Sequence, residues 1–108
     1  MDAIHADPEA WCQAAPARRN DDTSVSPKSR DAVRWCLVGA LNKASRFGTF
    51  AYSVARGWIY EAQADLYPNT LTLVFVNDGP QYGYEAVRAV ERRAIEIAEA
   101  ALAQGAQP

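Results

Sequence analysis

The stretch that decides the fold is YGYEAVRAVERRAIEIAEAALAQ, residues 82–104, near the end of a chain of 108 residues. Apolar side chains recur in it at spacings of three and four, which is typical of an α-helix with one buried face. Three pairs of opposite charge lie at helical spacing on the other side: Arg88–Glu91, Arg92–Glu96 and Arg93–Glu96. Gly105 follows as a stop signal. The sequence therefore predicts a long amphipathic helix that packs against the rest of the protein.

Two earlier segments have the same periodicity. One begins at Ser29, a good N-cap, carries apolar residues on one wide face and ends at Gly48. The next begins at Thr49 and extends to Leu66. Gly57 interrupts its apolar pattern, and glycine costs about 1 kcal/mol relative to alanine inside a helix unless another helix crosses closely there. These segments predict two more helices, the first of them central.

The remaining segments are short. Asp7 and Pro8 are typical of a helix start, and they predict a helix of about two turns that ends by Pro16. Residues 16–29 are polar and lack apolar periodicity, which predicts a flexible loop. Residues 71–76, LTLVFV, have the β-branched and aromatic content of a strand, yet no other segment resembles one. We expect an extended connector that crosses a helical core, with pairing to a second copy in a homodimer as the alternative.

Together these elements predict a mainly α fold, with residues 1–108 forming a single small helical domain. The predicted architecture is a compact bundle of three to four helices with one short extended segment, at about 71–76, before the C-terminal helix. A turn at Asn77-Asp78-Gly79-Pro80 joins that segment to the helix.

Composition excludes several classes of protein. Hydrophobic residues make up 49% of the chain and charged residues 22%, which is ordinary for a globular protein. Two cysteines and one histidine are too few for a disulfide framework or for most metal sites. The glycine-rich motifs that bind phosphate do not occur. The sequence thus predicts no metal and no cofactor.

The N-terminus indicates a location. Residues 1–7 lack the basic and apolar regions of a secretory signal. The longest apolar run, residues 71–76, is far shorter than the about 20 residues that cross a bilayer. We therefore expect a cytoplasmic protein with no membrane association, in which Cys12 and Cys36 are free thiols.

The net charge of −2 is unevenly distributed. Residues 18–56 carry eight Lys and Arg against three Asp, whereas residues 57–108 carry three Arg against seven acids. The candidate nucleic-acid contacts are Arg18, Arg19, Lys28, Arg30, Arg34, Lys43 and Arg46. A dedicated nucleic-acid binder is usually basic overall, so we favour neutralisation by the acidic C-terminal half, inside the fold or across a dimer. Nucleic-acid association is kept as an alternative.

Each cysteine follows a tryptophan. A nucleophilic cysteine needs a nearby base or positive field, and the one histidine, His5, is expected at a frayed N-terminus. Cys36 falls on the apolar stripe of the predicted central helix, where it behaves as a small hydrophobe. No catalytic residue is predicted, and a small enzyme that uses Cys12 near Asn77 and Asp78 is kept as an alternative.

Four features occur in order along the chain: Trp11-Cys12-Gln13, the segment DAVRWCLVGAL at 31–41, Asn77-Asp78, and the C-terminal helix with Arg93-Ala94-Ile95. In this order they resemble a family of small uncharacterised bacterial and phage proteins that has no established activity. Its members combine Trp-Cys-Gln, Cys-x-x-Gly-Ala-Leu and Trp-Asn-Asp motifs before a final amphipathic helix. The resemblance covers most of the chain except residues 46–70. Here Val76 stands where the family usually has Trp, and the usual Thr-containing helix start after Asn77-Asp78 is missing.

The resemblance implies that seven residues meet in space: Trp11, Cys12, Gln13, Cys36, Gly39, Asn77 and Asp78. Gly39 would permit another backbone to approach, and the amide and carboxylate groups would satisfy buried polar groups. Six of the seven, all except Gly39, form a candidate binding cluster, with a purely structural network as the favoured interpretation. The leading functional hypothesis is a non-enzymatic, phage-derived interaction module with an unidentified protein partner.

Overall fold

The computed structural model describes residues 1–45, 49–69, 73–79 and 82–105. Within these ranges the helices are α1 (Asp2–His5), α2 (Leu37–Ala44), α3 (Phe50–Leu66), α4 (Leu73–Asp78) and α5 (Tyr84–Ala103). The strands are β1 (Ala17–Arg18), β2 (Ser24–Val25) and β3 (Arg34–Trp35). The predicted mainly α fold is confirmed, with a small sheet that the sequence did not indicate.

Helices α3 and α5 pack along each other and form the centre of the core. Ile59 and Ala62 on α3 and Val87 and Val90 on α5 are almost completely buried. The prediction of a long C-terminal helix is therefore confirmed, because α5 begins and ends close to the expected residues. Its apolar face is where the periodicity placed it, although Leu102 near the end is 46% exposed.

The expected extended segment at about 71–76 is wrong over the residues that the structure describes. Residues 73–78 form helix α4, and residues 71 and 72 lie outside the described ranges. A helix satisfies the backbone groups of residues 73–78 internally. This outweighs the high β-propensity of their side chains. Asn77 and Asp78, expected in a turn, are the last two residues of α4.

The predicted central helix begins eight residues later than Ser29. Its N-cap is Cys36, whose Sγ accepts a hydrogen bond from the Gly39 N–H at 3.2 Å. The residues before it form β3, which pairs antiparallel with β1, and β1 pairs with β2, so the sheet order is β2-β1-β3. Pairing with β1 thus overrides the helical periodicity of residues 29–36, and Val33 is 42% exposed.

Residues 16–29, predicted to be a loop, contain β1 and β2. Asp22 between these strands has a φ of 68°, in the left-handed region that tight turns often use. The first predicted helix is only the 3₁₀ turn Pro8–Ala10, and Asp7 caps it as expected by accepting a hydrogen bond from the Glu9 N–H. Trp11 then forms a parallel bridge with Trp35.

The N-terminus is not frayed. The His5 side chain is fully buried, with Nδ1 2.5 Å from Oε2 of Glu91 and Nε2 2.7 Å from the carbonyl oxygen of Trp35. Arg88 donates from one guanidinium nitrogen to Oε1 of Glu91 and to Oδ1 of Asp2. This arrangement, which we call the N-terminal charge cluster, attaches α1 to the middle of α5.

The N-terminal charge cluster also corrects one sequence prediction. The pair Arg88–Glu91 forms at 3.0 Å, but both residues are buried rather than on the solvent side. The pair Arg93–Glu96 does lie on the exposed side, where Arg93 also reaches Asp65 of α3. A periodicity argument counts charged residues as exposed and has no means of finding a buried partner such as His5.

The substitution His5→Ala should destabilise the protein by about 3 kcal/mol, because it leaves the buried Glu91 carboxylate without one of its two partners. Urea unfolding at pH 7 measures the change. Glu99→Ala, at an exposed position of α5, is the matched control and should change the free energy of unfolding by less than about 0.5 kcal/mol. A loss for His5→Ala no larger than that of the control would contradict the role given to this cluster.

A cleft held by Asn77

The side chain of Asn77 is the centre of a hydrogen-bond network and is 2% exposed. Its Oδ1 accepts from Trp11 Nε1 at 2.7 Å and from the Leu37 N–H at 2.9 Å. Its Nδ2 donates to the carbonyl oxygen of Cys12 at 2.9 Å and to Asp78 Oδ1 at 2.7 Å. One amide thus joins the N-terminal segment, the first residue of α2 and the end of α4.

The residues after Cys12 complete this network. Gln13 donates from Nε2 to the backbone carbonyl oxygen of Asn77 at 2.9 Å. The N–H of Ala14, whose φ is 62°, donates to Asp78 Oδ1 at 3.0 Å. The segment therefore turns sharply over the C-terminal end of α4, and a carboxylate satisfies the exposed backbone N–H of that turn.

The next contact is a close approach of two backbones. A Cβ added at Gly39 would lie 1.8 Å from the carbonyl oxygen of Pro16, so only glycine fits there. The same Pro16 oxygen accepts from the Cys36 N–H at 3.2 Å. The structure thus brings together the seven residues that the resemblance implied would meet.

A cleft of about 560 Å³ opens beside the network. It lies between the segment that carries Ala14 and Pro16, the start of α2, the middle of α3 and the end of α4. Its lining residues are Ala14, Ala15, Pro16, Cys36, Leu37, Val38, Arg56, Tyr60, Asn77 and Asp78. Most of these side chains are apolar, and a few polar groups stand among them, which is the usual make-up of a binding cleft.

Two charged side chains of opposite sign line this cleft. Arg56 and Tyr60 lie one helical turn apart on α3, with an Arg56 guanidinium nitrogen 3.2 Å from the Tyr60 oxygen and Cζ 5.3 Å from the ring centre. Both residues are exposed. Asp78 supplies the negative charge from the end of α4. No role was predicted for Arg56 and Tyr60, although their i, i+4 spacing in the predicted helix indicates that the two side chains are neighbours.

Neither thiol is activated as a catalytic nucleophile at neutral pH, because both are largely protonated there. Burial, and to a smaller extent the neighbouring Cys36, raise the pKa of Cys12 to about 11. Burial also raises the pKa of Cys36, although backbone N–H groups at the start of α2 oppose the effect. Cys36 lines the cleft and Cys12 does not. Both nitrogens of His5 contact other groups, so His5 is not a base for either thiol.

The basic residues predicted for nucleic-acid binding are mostly engaged within the fold. Arg34 contacts Asp22 at 2.5 Å and Arg19 contacts Asp21 at 3.0 Å. Arg18 donates to the backbone oxygens of Gln13 and Asp22, and Lys28 to that of Ser45. Arg30 and Lys43 are exposed, and Arg46 lies outside the described residues. Two acids of this segment therefore pair with Arg34 and Arg19, and two further basic side chains bond to backbone oxygens.

Two broader findings concern metals and membranes. In residues 1–45, 49–69, 73–79 and 82–105, no three His, Cys, Asp or Glu side chains are grouped so as to hold a metal ion. In the same part of the chain, no helix has the length and apolar character needed to cross a membrane.

The substitution Asn77→Asp should destabilise the protein by about 3 kcal/mol at pH 7, because an oxygen then faces the Cys12 carbonyl oxygen and the Asp78 carboxylate. These acceptors favour the protonated form of the new carboxyl and raise its pKa in the folded state. The difference from the unsubstituted protein should therefore shrink as the pH falls through that raised pKa. Urea unfolding at pH 7 and pH 5 tests this. Gln13→Ala, which removes one exposed hydrogen bond, is the control and should cost less than about 1 kcal/mol.

The same substitution at two glycines should have opposite effects. Gly39→Ala forces apart the backbones that meet at Pro16 and should destabilise by more than about 3 kcal/mol. Gly57→Ala lies in the interior of α3 with nothing within 4 Å of the added Cβ, so it should stabilise by about 0.5–1 kcal/mol. Thermal unfolding of the two variants decides the matter, and equal melting temperatures would contradict the close approach.

Comparison with known proteins gives a family and nothing more specific. No curated protein and no solved structure matches the chain. The model of a family of unknown function, DUF6197, matches residues 3–97, which include most of α1, the Asn77 network, the cleft and most of α5. This match extends over most of the sequence, and the chain belongs to the family of unknown function DUF6197.

Proposed function

We propose that the protein is a non-enzymatic interaction module whose cleft takes a short peptide segment of a protein partner. The observation that supports this most is the cleft itself, which combines apolar walls with Arg56 on α3 and Asp78 on α4. Apolar walls with a few convergent polar groups are what peptide and ligand sites share. The fitting peptide presents an apolar side chain to the walls and an acidic side chain to Arg56.

The walls of the cleft are well suited to hold a shape before a partner arrives. Asn77 and Leu37 are buried at its base, and the hydrogen bonds of Asn77 connect the walls on either side. Preorganised walls lower the entropy that binding must overcome. The rim is different, since Arg56 and Tyr60 are exposed and free to adapt to a ligand.

Less supports the two alternatives. Nucleic-acid association would rely on exposed Arg30 and Lys43 after most of the other described basic residues are engaged, and phosphate binding needs several free cations. An enzyme that uses Cys12 would rely on a buried thiol whose pKa is about 11. The peptide module uses instead the groups that face solvent in the cleft.

The setting of this module is part of the proposal. We place it in the cytoplasm of a bacterium, acting on a host or phage assembly. Two cysteines are too few for the disulfide framework of a small secreted domain, which favours a reducing compartment. The Trp-Cys-Gln and Asn-Asp motifs resemble those of small bacterial and phage proteins, and this resemblance supports a bacterial or phage source.

A random peptide library displayed on phage tests the proposal. We expect enriched peptides that pair an apolar with an acidic residue, and binding of one synthetic copy should be followed by fluorescence anisotropy. Arg56→Ala should weaken that binding about tenfold, the effect of one lost charged contact of about 1.4 kcal/mol. Tyr60→Ala should weaken it similarly.

The matched control for both is Arg92→Ala, an exposed arginine of α5 that does not line the cleft. It should leave the affinity unchanged. Failure to enrich any binding peptide, or enriched peptides that bind the Arg56→Ala variant as tightly as the unsubstituted protein, would overturn the proposed function.

A further inference from the structure

The two cysteines follow directly on a contact between their chain segments. Trp11 and Trp35 form a parallel bridge, and the Cys12 N–H donates to the Trp35 carbonyl oxygen at 3.2 Å. Strands joined in this way lie about 4.8 Å apart at the bridge itself. Cys12 and Cys36 each follow the bridge by one residue, so the chain segments that carry the two thiols lie side by side.

Both cysteines also contact one stretch of backbone. Cys12 Sγ donates to the carbonyl oxygen of Ala15 at 3.6 Å, and the Cys36 N–H donates to that of Pro16 at 3.2 Å. The turn at residues 12–16 thus encloses one thiol and adjoins the residue that carries the other. Cys36 also raises the pKa of Cys12, which accords with the closeness of the two thiols.

We propose that Cys12 and Cys36 are a disulfide-forming pair that a hydroperoxide oxidises within the folded protein. Disulfides join residues whose Cα atoms are about 4.4–6.8 Å apart, and the bridge one residue before each cysteine brings their chain segments together. The pairing does not depend on the proposed function, because it needs no bound peptide, although Cys36 also lines the cleft.

The reaction has two steps. The Cys36 sulfur attacks one oxygen of hydrogen peroxide, the O–O bond breaks, and Cys36 becomes a sulfenic acid while one water leaves. The Cys12 sulfur then attacks the Cys36 sulfur, the S–O bond breaks, and a second water leaves as the S–S bond forms. The two thiols lose two protons and two electrons, and one peroxide is reduced to two waters.

Accessibility sets the order of these steps. Cys36 is partly exposed and lines the cleft, whereas Cys12 is only 7% exposed. Peroxide entering the cleft therefore meets Cys36 first, and Cys12 resolves the sulfenic acid. Because burial raises the pKa of both thiols, the thiolate is scarce at neutral pH. The rate should therefore rise as the pH is raised from 7 to 9, since the thiolate is the nucleophile.

The test treats the full-length folded protein with hydrogen peroxide and maps its peptides by mass spectrometry without reduction. We expect a crosslinked peptide containing Cys12 and Cys36. The monomeric oxidised protein should melt about 10 °C higher than the reduced protein, because the bond closes the loop between residues 12 and 36 in the unfolded chain. Reduction by dithiothreitol should reverse the shift.

Two variants separate the roles of the thiols. Cys12→Ala should leave Cys36 as a sulfenic acid that dimedone captures. Cys36→Ser preserves the N-cap of α2, because serine is a favoured N-cap, and it should yield neither the crosslink nor the dimedone adduct. Thiols that stay reduced at pH 9, a disulfide that forms only between two molecules, or overoxidation of Cys36 without a crosslink would overturn the proposal.

Discussion

The side-chain amide of Asn77 holds together three segments that are far apart in the sequence. It presents one acceptor to an indole N–H and a helix N-terminus, and one amino group to a carbonyl oxygen and a carboxylate. Only asparagine and glutamine carry a carbonyl oxygen and an NH₂ group on the same planar carbon, and glutamine is longer by one methylene. The cleft depends on this amide, because each of the segments that the amide joins contributes residues to the walls of the cleft.

The periodic parts of the sequence were sufficient to predict the large helices. Residues of α3 and α5 alternate between core and solvent with a period near 3.6, and their own packing decides their state. The spatial meeting of Trp11, Cys12 and Asn77 was also predicted, but from motif order and not from physics. That order carries information about contacts which no local pattern contains.

The errors have a common physical cause. Residues 29–36 had helical periodicity and residues 71–76 had strand composition. Yet residues 34–35 pair in β3 and residues 73–78 form α4, states in which their backbone groups have partners. Local propensity amounts to a few tenths of a kcal/mol per residue, and an unpaired buried backbone group costs more. His5 was missed for the same reason, since burial of a histidine depends on the distant Glu91.

The N-terminal charge cluster has a consequence for how the chain is made. His5 and Glu91 are 86 residues apart, and the bonds of Asn77 to the Trp11 and Cys12 residues span 66 and 65. A ribosome adds residues one by one from the N-terminus, so α1 emerges first and its partner on α5 emerges near the end. The residues of α1 therefore lack their native contacts until α5 has been synthesised. The contacts that complete this fold join residues far apart in the sequence, so we expect folding to be slower than in a helical protein with mostly local contacts.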